Sequence, residues 1–291
     1  MMAKTDHFLK RESEKQTITS VSDEEFLPAT ERADLFLPVA TVVSPVSPES
    51  RMVVHSDPRC IGADRFRLAR IRLKSLQASK GLKTLLVTSP MPGDGKSTVA
   101  LNLATALSEN GKQPVLLIEA DVYRPSLVKK LEIASWRGLT ECFQQGIDPM
   151  LAIRRIEPLG FYLLPVGKPV DDDSFLQTKY AAQLIKQFAA LSFSWIVIDA
   201  PPSTPVADIL ALKAQADATL LVVRAGTTPR EAIEETTRNI GREHIMGVIL
   251  NGVEGLDHFY SKYYGYVKPD AREKSEKNKS LQDLGLKGRG L

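Results

Sequence analysis

A run of six residues, Pro92–Ser97, brings together the residue types that bind phosphate groups. Its two glycines, Gly93 and Gly95, permit backbone conformations and a close approach that a β-carbon would block. Lys96 supplies a flexible cation for terminal phosphates, and the hydroxyl of Ser97 is a ligand of the kind that Mg²⁺ prefers. The run therefore predicts a site for ATP with magnesium.

The elements around this run are those that a phosphate-binding loop needs. The apolar segment Thr84–Thr88 predicts a buried strand before it, and helical spacing from Thr98 to Leu107 predicts a helix after it. Backbone N–H groups and the helix N-terminus would surround the phosphate oxygens. The full motif has a glycine where this chain has Pro90, and no Asn-Lys-x-Asp element for reading guanine is present. The predicted nucleotide-binding residues of the loop are Pro92, Gly93, Asp94, Gly95, Lys96, Ser97 and Thr98.

Carboxylates follow two further apolar runs. Glu119 and Asp121 come after Val115–Ile118, and Asp199 ends the run Trp195–Asp199. In open α/β folds, ligands bind at the edge of the sheet where the parallel strands end. We therefore predict Glu119 and Asp199, with Ser97, as magnesium ligands. Asp121 becomes the base for an attacking hydroxyl, and the catalytic set is Lys96, Glu119, Asp121 and Asp199. The alternatives are an ordinary polar strand exit at 119–121 and a helix-capping aspartate at 199.

The alternation of apolar runs with helix-length amphipathic stretches predicts the fold class. Continuous β-branched runs are typical of strands buried on both faces of a parallel sheet. We predict an α/β, doubly wound P-loop domain over residues 59–256, a disordered segment over 1–58 and a mobile tail over 257–291. A helix-like pattern from Ala63 to Gln77 precedes the first core strand. Six runs are predicted as strands: Thr84–Thr88, Val115–Ile118, Phe161–Leu164, Trp195–Ile198, Ala218–Val223 and Ile245–Leu250.

Composition excludes several classes of protein. The 291 residues are 43% hydrophobic and carry a formal net charge of +3, which is too small for a concentrated nucleic-acid-binding face. The two cysteines, Cys60 and Cys142, form no CxxC pair and are typical of a reduced cytoplasmic chain. No apolar segment approaches the roughly 20 residues that a membrane-spanning helix needs. We predict a cytoplasmic protein that does not bind nucleic acid.

Four of the seven tyrosines of the chain lie within seven residues, Tyr260, Tyr263, Tyr264 and Tyr266. Tyrosines in a polar, basic tail are not explained by core packing. We predict that they accept phosphate, which would reverse the charge of the tail, because each phosphate adds about −1.5 to −2 charges. The alternative is an aromatic segment that binds a partner.

These motifs, in this order, resemble the bacterial tyrosine kinases of capsule and exopolysaccharide biosynthesis, over residues 60–267. The resemblance implies an ATP-dependent kinase that phosphorylates tyrosines in its own C-terminal tail. It also implies that Asn251, at the end of Gly247–Asn251, lies near the adenine. A separate membrane protein of the chain-length-regulator kind would activate the kinase and hold it at the membrane periphery. A tyrosine phosphatase would be the opposing partner.

A helix before the phosphate loop adds to the resemblance. Asp64, Arg67 and Arg70 are similar to the Glu-x-x-Arg-x-x-Arg segment of the family, which packs against a neighbouring subunit and builds a ring. The spacing places the three side chains on one helical face. The resemblance thus implies a homo-oligomeric ring in which tails are phosphorylated in trans. The simpler reading is a solvated helical face.

Two departures from the family pattern leave other functions open. The second acidic motif has Glu119 where the family has aspartate, and Tyr123 where it has arginine. Because Mg²⁺ tolerates little geometric error, a kinase-inactive ATP-binding scaffold of polysaccharide export is the first alternative. A positioning-type ATPase is the second, although Met91 stands where those proteins carry a second lysine.

Overall fold

The computed structural model describes residues 39–168, 179–203 and 206–254. The strands within these residues are β1 (Thr41–Val43), β2 (Thr84–Thr88), β3 (Val115–Glu119), β4 (Arg154–Glu157), β5 (Phe161–Leu164), β6 (Trp195–Asp199), β7 (Ala218–Arg224) and β8 (Ile245–Asn251). The helices are α1 (Val53–Ser56), α2 (Ile61–Lys80), α3 (Lys96–Ser108), α4 (Leu127–Lys130), α5 (Leu139–Gln145), α6 (Pro149–Ala152), α7 (Lys179–Ala190), α8 (Val206–Lys213) and α9 (Arg230–Ile240).

The strands form one sheet in the order β1-β4-β5-β3-β6-β2-β7-β8. All neighbouring strands are parallel except β4 and β5, which are antiparallel. Every residue of β2, β3, β5 and β6 is buried, which explains why these strands read as continuous apolar runs. The predicted α/β fold is confirmed, and all six predicted runs are strands.

The sheet order brings the predicted site residues together. β3 and β6 are adjacent and pair Glu119 with Asp199, while β2 pairs Val87 with Asp199 on the other side. The loop after β2 leads directly into α3, which begins at Lys96. The phosphate loop and the acidic strand ends therefore share the same edge of the sheet.

The helix predicted over residues 63–77 extends over Ile61–Lys80 as α2. It ends where Gly81 adopts the left-handed conformation, with φ 69°, and donates its backbone N–H to the Gln77 carbonyl. Leu73 is buried on its inner side, in the core cluster that also holds Val99 and Leu103 of α3. α2 therefore packs against the helix that carries the phosphate loop.

The prediction of disorder does not hold for residues 41–56, the N-terminal strap hereafter. The strap begins with β1 on the edge of the sheet and ends with α1. Met52 is fully buried in the core beside α3. The side chain of Asn102, also fully buried, accepts from the Val54 N–H at 3.1 Å and donates to the Arg51 carbonyl at 3.0 Å. The strap is stabilised by these contacts with residues distant in sequence and not by a periodic apolar face of its own. Its structure therefore could not be predicted from the local sequence.

The Asn102→Ala substitution should loosen the strap. It removes the partners of the Val54 N–H and the Arg51 carbonyl, and we expect a loss of about 2 kcal/mol in the free energy of unfolding. Urea unfolding followed by circular dichroism measures this loss, with Gln144→Ala on the exposed face of α5 as the control. Limited proteolysis should cut the variant within the strap first. Equal stability of the two variants would contradict the assigned role of Asn102.

Candidate nucleotide-binding site

The phosphate loop has the backbone conformation that its glycines predict. Gly93 and Gly95 have φ values of 90° and 97°, in the left-handed region that side chains disfavour. A β-carbon on Gly95 would lie 2.1 Å from Nδ2 of Asn251, which leaves no space for one. The loop is therefore a cradle of exposed backbone N–H groups at the start of α3.

Side chains from β7, β8 and the loop after β7 brace this cradle from one side. Asp94, which is buried, accepts from the Thr228 hydroxyl at 2.7 Å and from the Met91 N–H at 3.0 Å. Arg224 donates to the Gly93 carbonyl at 3.2 Å, and Asn251 donates to the Asp94 carbonyl at 2.8 Å. Asp94 thus orients the loop through its side chain. Asn251 contacts the loop itself, and its predicted contact with adenine stays a prediction.

Lys96, the residue after Gly95, lies among carboxylates. Its ammonium donates to Asp121 Oδ2 at 2.5 Å and lies 3.9 Å from Asp199 Oδ1 and 3.3 Å from the Ser97 hydroxyl. All four residues are buried. The structure thus brings together four of the predicted site residues, and Lys96 is held by a carboxylate where it would meet terminal phosphates.

Asp199 has the surroundings of a metal ligand. Neither of its carboxylate oxygens makes a hydrogen bond within the described part of the chain, although the residue is fully buried. Burial raises its pKa to about 7, and the neighbouring Lys96 and Ser97 lower it only in part. Lys96, whose ammonium lies 3.9 Å away and is bound to Asp121, offsets only part of the cost of burying this carboxylate, so a further cation would stabilise it. Asp199 and Ser97 therefore fit a magnesium ion that completes its shell with phosphate and water oxygens.

Glu119 makes hydrogen bonds that the sequence did not predict. Its Oε1 accepts from the N–H groups of Ser126 and Leu127 at 2.6 and 2.7 Å, and its Oε2 accepts from Val166 at 3.2 Å. Desolvation raises the pKa of this carboxyl, and these three backbone groups act in the opposite direction. These three bonds hold the start of α4 and the segment after β5 to Glu119, and its predicted role as a magnesium ligand stays a prediction. The extra methylene lets the side chain reach the start of this helix.

Tyr123, the second departure from the family pattern, ties the acidic loop to α8. Its hydroxyl donates to Asp208 Oδ2 at 2.5 Å, and Asp208 is buried. Asp121 in the same loop accepts from the Arg124 N–H at 3.1 Å. The loop between β3 and α4 is therefore fixed at both Asp121 and Tyr123, and sequence reasoning did not identify Asp208 as the partner.

The Tyr123→Phe substitution tests this link. Removal of the hydroxyl should lower the free energy of unfolding by about 1 kcal/mol, because buried Asp208 loses a charge-assisted hydrogen bond from the partly exposed tyrosine. Tyr123→Arg should recover stability, since a guanidinium supplies a new donor to the same carboxylate. Thermal unfolding of the three proteins measures the effect. Equal melting of wild type and Tyr123→Phe would show that the hydroxyl carries no stabilisation.

The remaining predicted sites lie on α2 or outside the described residues. On α2, Arg67 forms an exposed ion pair with Asp64, and Leu68 and Ile71 beside it are exposed. Arg70 is partly buried. None of the helices within residues 39–168, 179–203 and 206–254 has the length and apolar character to span a bilayer. The predicted phosphoacceptors Tyr260, Tyr263, Tyr264 and Tyr266 lie outside the described residues.

The chain is similar to known P-loop proteins. The ParA family model, described as NUBPL iron-transfer P-loop NTPase, matches residues 82–265, more than half of the chain. The tyrosine-protein kinase YwqD of Bacillus subtilis (strain 168) is 26% identical over 220 residues, which cover 75% of this chain and 92% of YwqD. The succinoglycan biosynthesis transport protein ExoP of Rhizobium meliloti (strain 1021) is 29% identical over 235 residues, 74% of this chain but 30% of ExoP.

A solved structure supports the same grouping. The crystal structure of the VpsO kinase domain matches with a TM-score of 0.58 at 27% sequence identity, over 65% of this chain and 95% of that domain. The resemblance predicted from the phosphate loop and the acidic strand ends is confirmed. The chain belongs to the ParA family of P-loop NTPases and groups within it with the bacterial tyrosine kinases.

Proposed function

We propose that this protein is an ATP-dependent protein-tyrosine kinase that phosphorylates the tyrosine cluster of its own C-terminal tail. The observation that carries the proposal is the buried group of Lys96, Asp121 and Asp199 beside the phosphate loop. Relatives that are named tyrosine kinases support it. ATP is the phosphoryl donor, and Mg²⁺ is the metal.

The loop and its neighbours bind and orient the nucleotide. Backbone N–H groups between Gly93 and Ser97 hold the phosphate oxygens, and Lys96 contacts the terminal phosphates. Ser97 and Asp199 hold Mg²⁺, which neutralises charge on the phosphates when it is bound. The described residues hold no cluster of three acidic, histidine or cysteine ligands, so phosphate and water complete the shell.

Asp121 is the base in this proposal. In the structure its carboxylate is bound to the Lys96 ammonium at 2.5 Å. When Lys96 turns to the nucleotide phosphates, Asp121 becomes available to accept the phenolic proton of an acceptor tyrosine. The phenol oxygen forms its bond to the γ-phosphorus as the bond to the ADP oxygen breaks. Lys96 therefore couples nucleotide binding to release of the base.

The acceptors are Tyr260, Tyr263, Tyr264 and Tyr266, presented by a neighbouring subunit. The α2 face with Asp64, Arg67 and Arg70 forms the contact of a homo-oligomeric ring, and exposed Leu68 and Ile71 give that face apolar area. The similarity to ExoP supports a role in exopolysaccharide synthesis and export. A membrane chain-length regulator activates the kinase and places it at the membrane periphery, and a tyrosine phosphatase reverses the reaction.

The decisive experiment incubates the full chain with Mg-ATP, alone and with the cytoplasmic segment of the membrane partner. Mass spectrometry then locates phosphate. We expect it on the four tail tyrosines, and we expect none in a Lys96→Met control or in a variant with all four changed to phenylalanine. Mixing a Lys96→Met chain with an intact-site chain whose tail tyrosines are phenylalanine tests transfer in trans.

Tight ATP binding without phosphotyrosine under either condition would overturn the kinase proposal. The ATP-binding scaffold of polysaccharide export would then be the function to pursue. The observation that favours this second candidate is that Glu119 accepts from three backbone N–H groups, while only Asp121 of the second acidic motif bonds to Lys96.

A further inference from the structure

Arg224 ends β7 at the same edge of the sheet as the phosphate loop. The six residues before it in the strand are buried, whereas Arg224 itself is exposed. In the parallel register it is paired with Asn251, the last residue of β8. Val222 and Ile249, two positions earlier in each strand, pack into the core cluster that contains α3. Because alternate residues of a strand share a face, Arg224 and Asn251 project on the side of the sheet that carries the phosphate loop.

Two contacts hold the side chain of Arg224 beside this loop. Its guanidinium donates to the Gly93 carbonyl at 3.2 Å. Its aliphatic stem runs past Gly252, where a β-carbon would lie 3.6 Å from Cγ and 3.7 Å from Nε of the arginine. Asn251 donates to the Asp94 carbonyl at 2.8 Å. Two neighbouring strand ends thus place their side chains on consecutive carbonyls of the phosphate loop.

The guanidinium keeps most of its binding capacity. A guanidinium has five N–H donors and a flat face that stacks on rings. Among the residues that the structure describes, the Gly93 carbonyl is the only acceptor for the side chain of Arg224, and no carboxylate pairs with it. The group is therefore held at a defined place, with its flat face and its other donors available to a ligand.

The order of the strands indicates which part of a nucleotide meets this arginine. Lys96 contacts the carboxylates of Asp121 and Asp199, which follow β3 and end β6, on one side of β2. Arg224 and Asn251 end β7 and β8, on the other side of β2. With neighbouring strands about 4.8 Å apart, β6 and β8 are separated by about 14 Å, which an extended nucleoside triphosphate can span. Terminal phosphates at Lys96 therefore leave the nucleoside on the side of Arg224.

We propose that Arg224 binds the base of the nucleotide, with the plane of its guanidinium stacked on the ring. The inference rests on the proposed nucleotide site but not on the kinase activity. A guanidinium is a flat, weakly hydrated cation and stacks on the π-face of a nucleobase. The bond to the Gly93 carbonyl holds it by one edge and leaves its plane free for this contact. Arg224 is then a binding residue for the base, separate from the groups that hold the phosphates.

Calorimetric titration of the full chain tests the inference without a kinase assay. The ligands are the magnesium complexes of a non-hydrolysable ATP analogue and of ribose 5-triphosphate, which lacks the base. Arg224→Ala and Arg224→Lys should both bind the ATP analogue about tenfold more weakly than wild type and ribose 5-triphosphate equally well. The lysine variant keeps the charge but lacks the plane. Arg242→Ala, which removes an exposed arginine from the turn before β8, should match wild type for both ligands.

Three results would overturn the inference. An equal loss of affinity for both ligands in Arg224→Ala would show that the arginine only holds the phosphate loop. Wild-type affinity of Arg224→Lys for the ATP analogue would indicate a contact of charge in place of stacking. Wild-type affinity of Arg224→Ala for the analogue would show that the arginine does not contact the nucleotide.

Failure of the proposed function gives different results. A wild-type chain that binds neither ligand would reject the proposed nucleotide site and this inference together. Nucleotide binding with no later phosphotyrosine would reject only the kinase activity. Circular dichroism melting of each variant confirms that it still folds.

Discussion

The Lys96→Met variant is expected to lose stability as well as nucleotide binding. Lys96 and Asp121 form an ion pair at 2.5 Å whose side chains are 10% and 3% exposed. Removing one partner of a buried pair leaves an uncompensated charge, which costs about 3–5 kcal/mol. We expect a loss of this size in the free energy of unfolding, measured by urea denaturation without nucleotide, and no detectable ATP binding.

A double variant separates the two effects. Lys96→Met with Asp121→Asn removes both charges, so stability should return toward that of wild type while ATP binding stays absent. The double variant is then the folded, inactive control for phosphotyrosine experiments. A single Lys96→Met variant as stable as wild type would show that the pair contributes nothing to the unliganded fold.

The Asp199→Asn substitution is expected to stabilise the nucleotide-free protein while it abolishes magnesium-dependent activity. The Asp199 carboxylate is fully buried, its oxygens make no hydrogen bond of normal geometry within the described residues, and Lys96 at 3.9 Å offsets only part of the cost of its charge. Its pKa is raised from 3.8 to about 7, chiefly by burial. Activity at this position therefore opposes stability, as is common at catalytic sites.

The pH dependence of unfolding tests this expectation. The pKa of Asp199 is higher in the folded than in the unfolded protein. Its favourable contribution to the free energy of unfolding is therefore fully present below about pH 4 and is lost as the pH rises through about 7. The difference corresponds to about 4 kcal/mol. The amide introduced by Asp199→Asn cannot ionise, so the variant should gain most over wild type at pH 8. The pKa of Glu119 is also raised, so Glu119 contributes a slope of the same sign.

Chemical denaturation between pH 5 and 8, without nucleotide and magnesium, measures the effect. Asp57→Asn, a substitution of an exposed aspartate, is the matched control and should follow wild type at each pH. If Asp199→Asn unfolds at the same urea concentration as wild type at pH 8, the carboxylate is not the destabilising group proposed for this interior.

The elements that could be predicted from the sequence are those with an unambiguous apolar pattern. The buried runs in β2, β3 and β6 are continuous because both faces of each strand are covered. β4 was missed because Arg154–Glu157 is largely charged and partly exposed, as expected near a sheet edge. β1 has three residues and pairs with β4, more than a hundred positions away. Such a strand exists only through its tertiary partner.

The residues of the candidate site could likewise be predicted only where the local sequence fixes their positions. Lys96, Ser97 and Asp199 could be predicted because a strand end and a following helix fix their positions. The hydrogen bonds of Glu119 were not predicted, because strand alternation gives the side of the sheet but not which backbone groups a carboxylate will accept from. The contact between Tyr123 and Asp208 joins residues 85 positions apart, so no local motif predicts it.

The hydrogen bond between Asn251 and the phosphate loop joins the proposed nucleotide site to the strand that precedes the tail. Asn251, which holds the Asp94 carbonyl at 2.8 Å, lies three residues before the end of the described chain at residue 254, and the tyrosine cluster follows. If phosphate on the tail weakens this hydrogen bond, nucleotide affinity must fall with it. Thermodynamic reciprocity then requires that bound nucleotide bias the tail by the same free energy. Nucleotide binding and phosphorylation of the tail would then be coupled through the strand that ends at Asn251, and each would report on the same equilibrium.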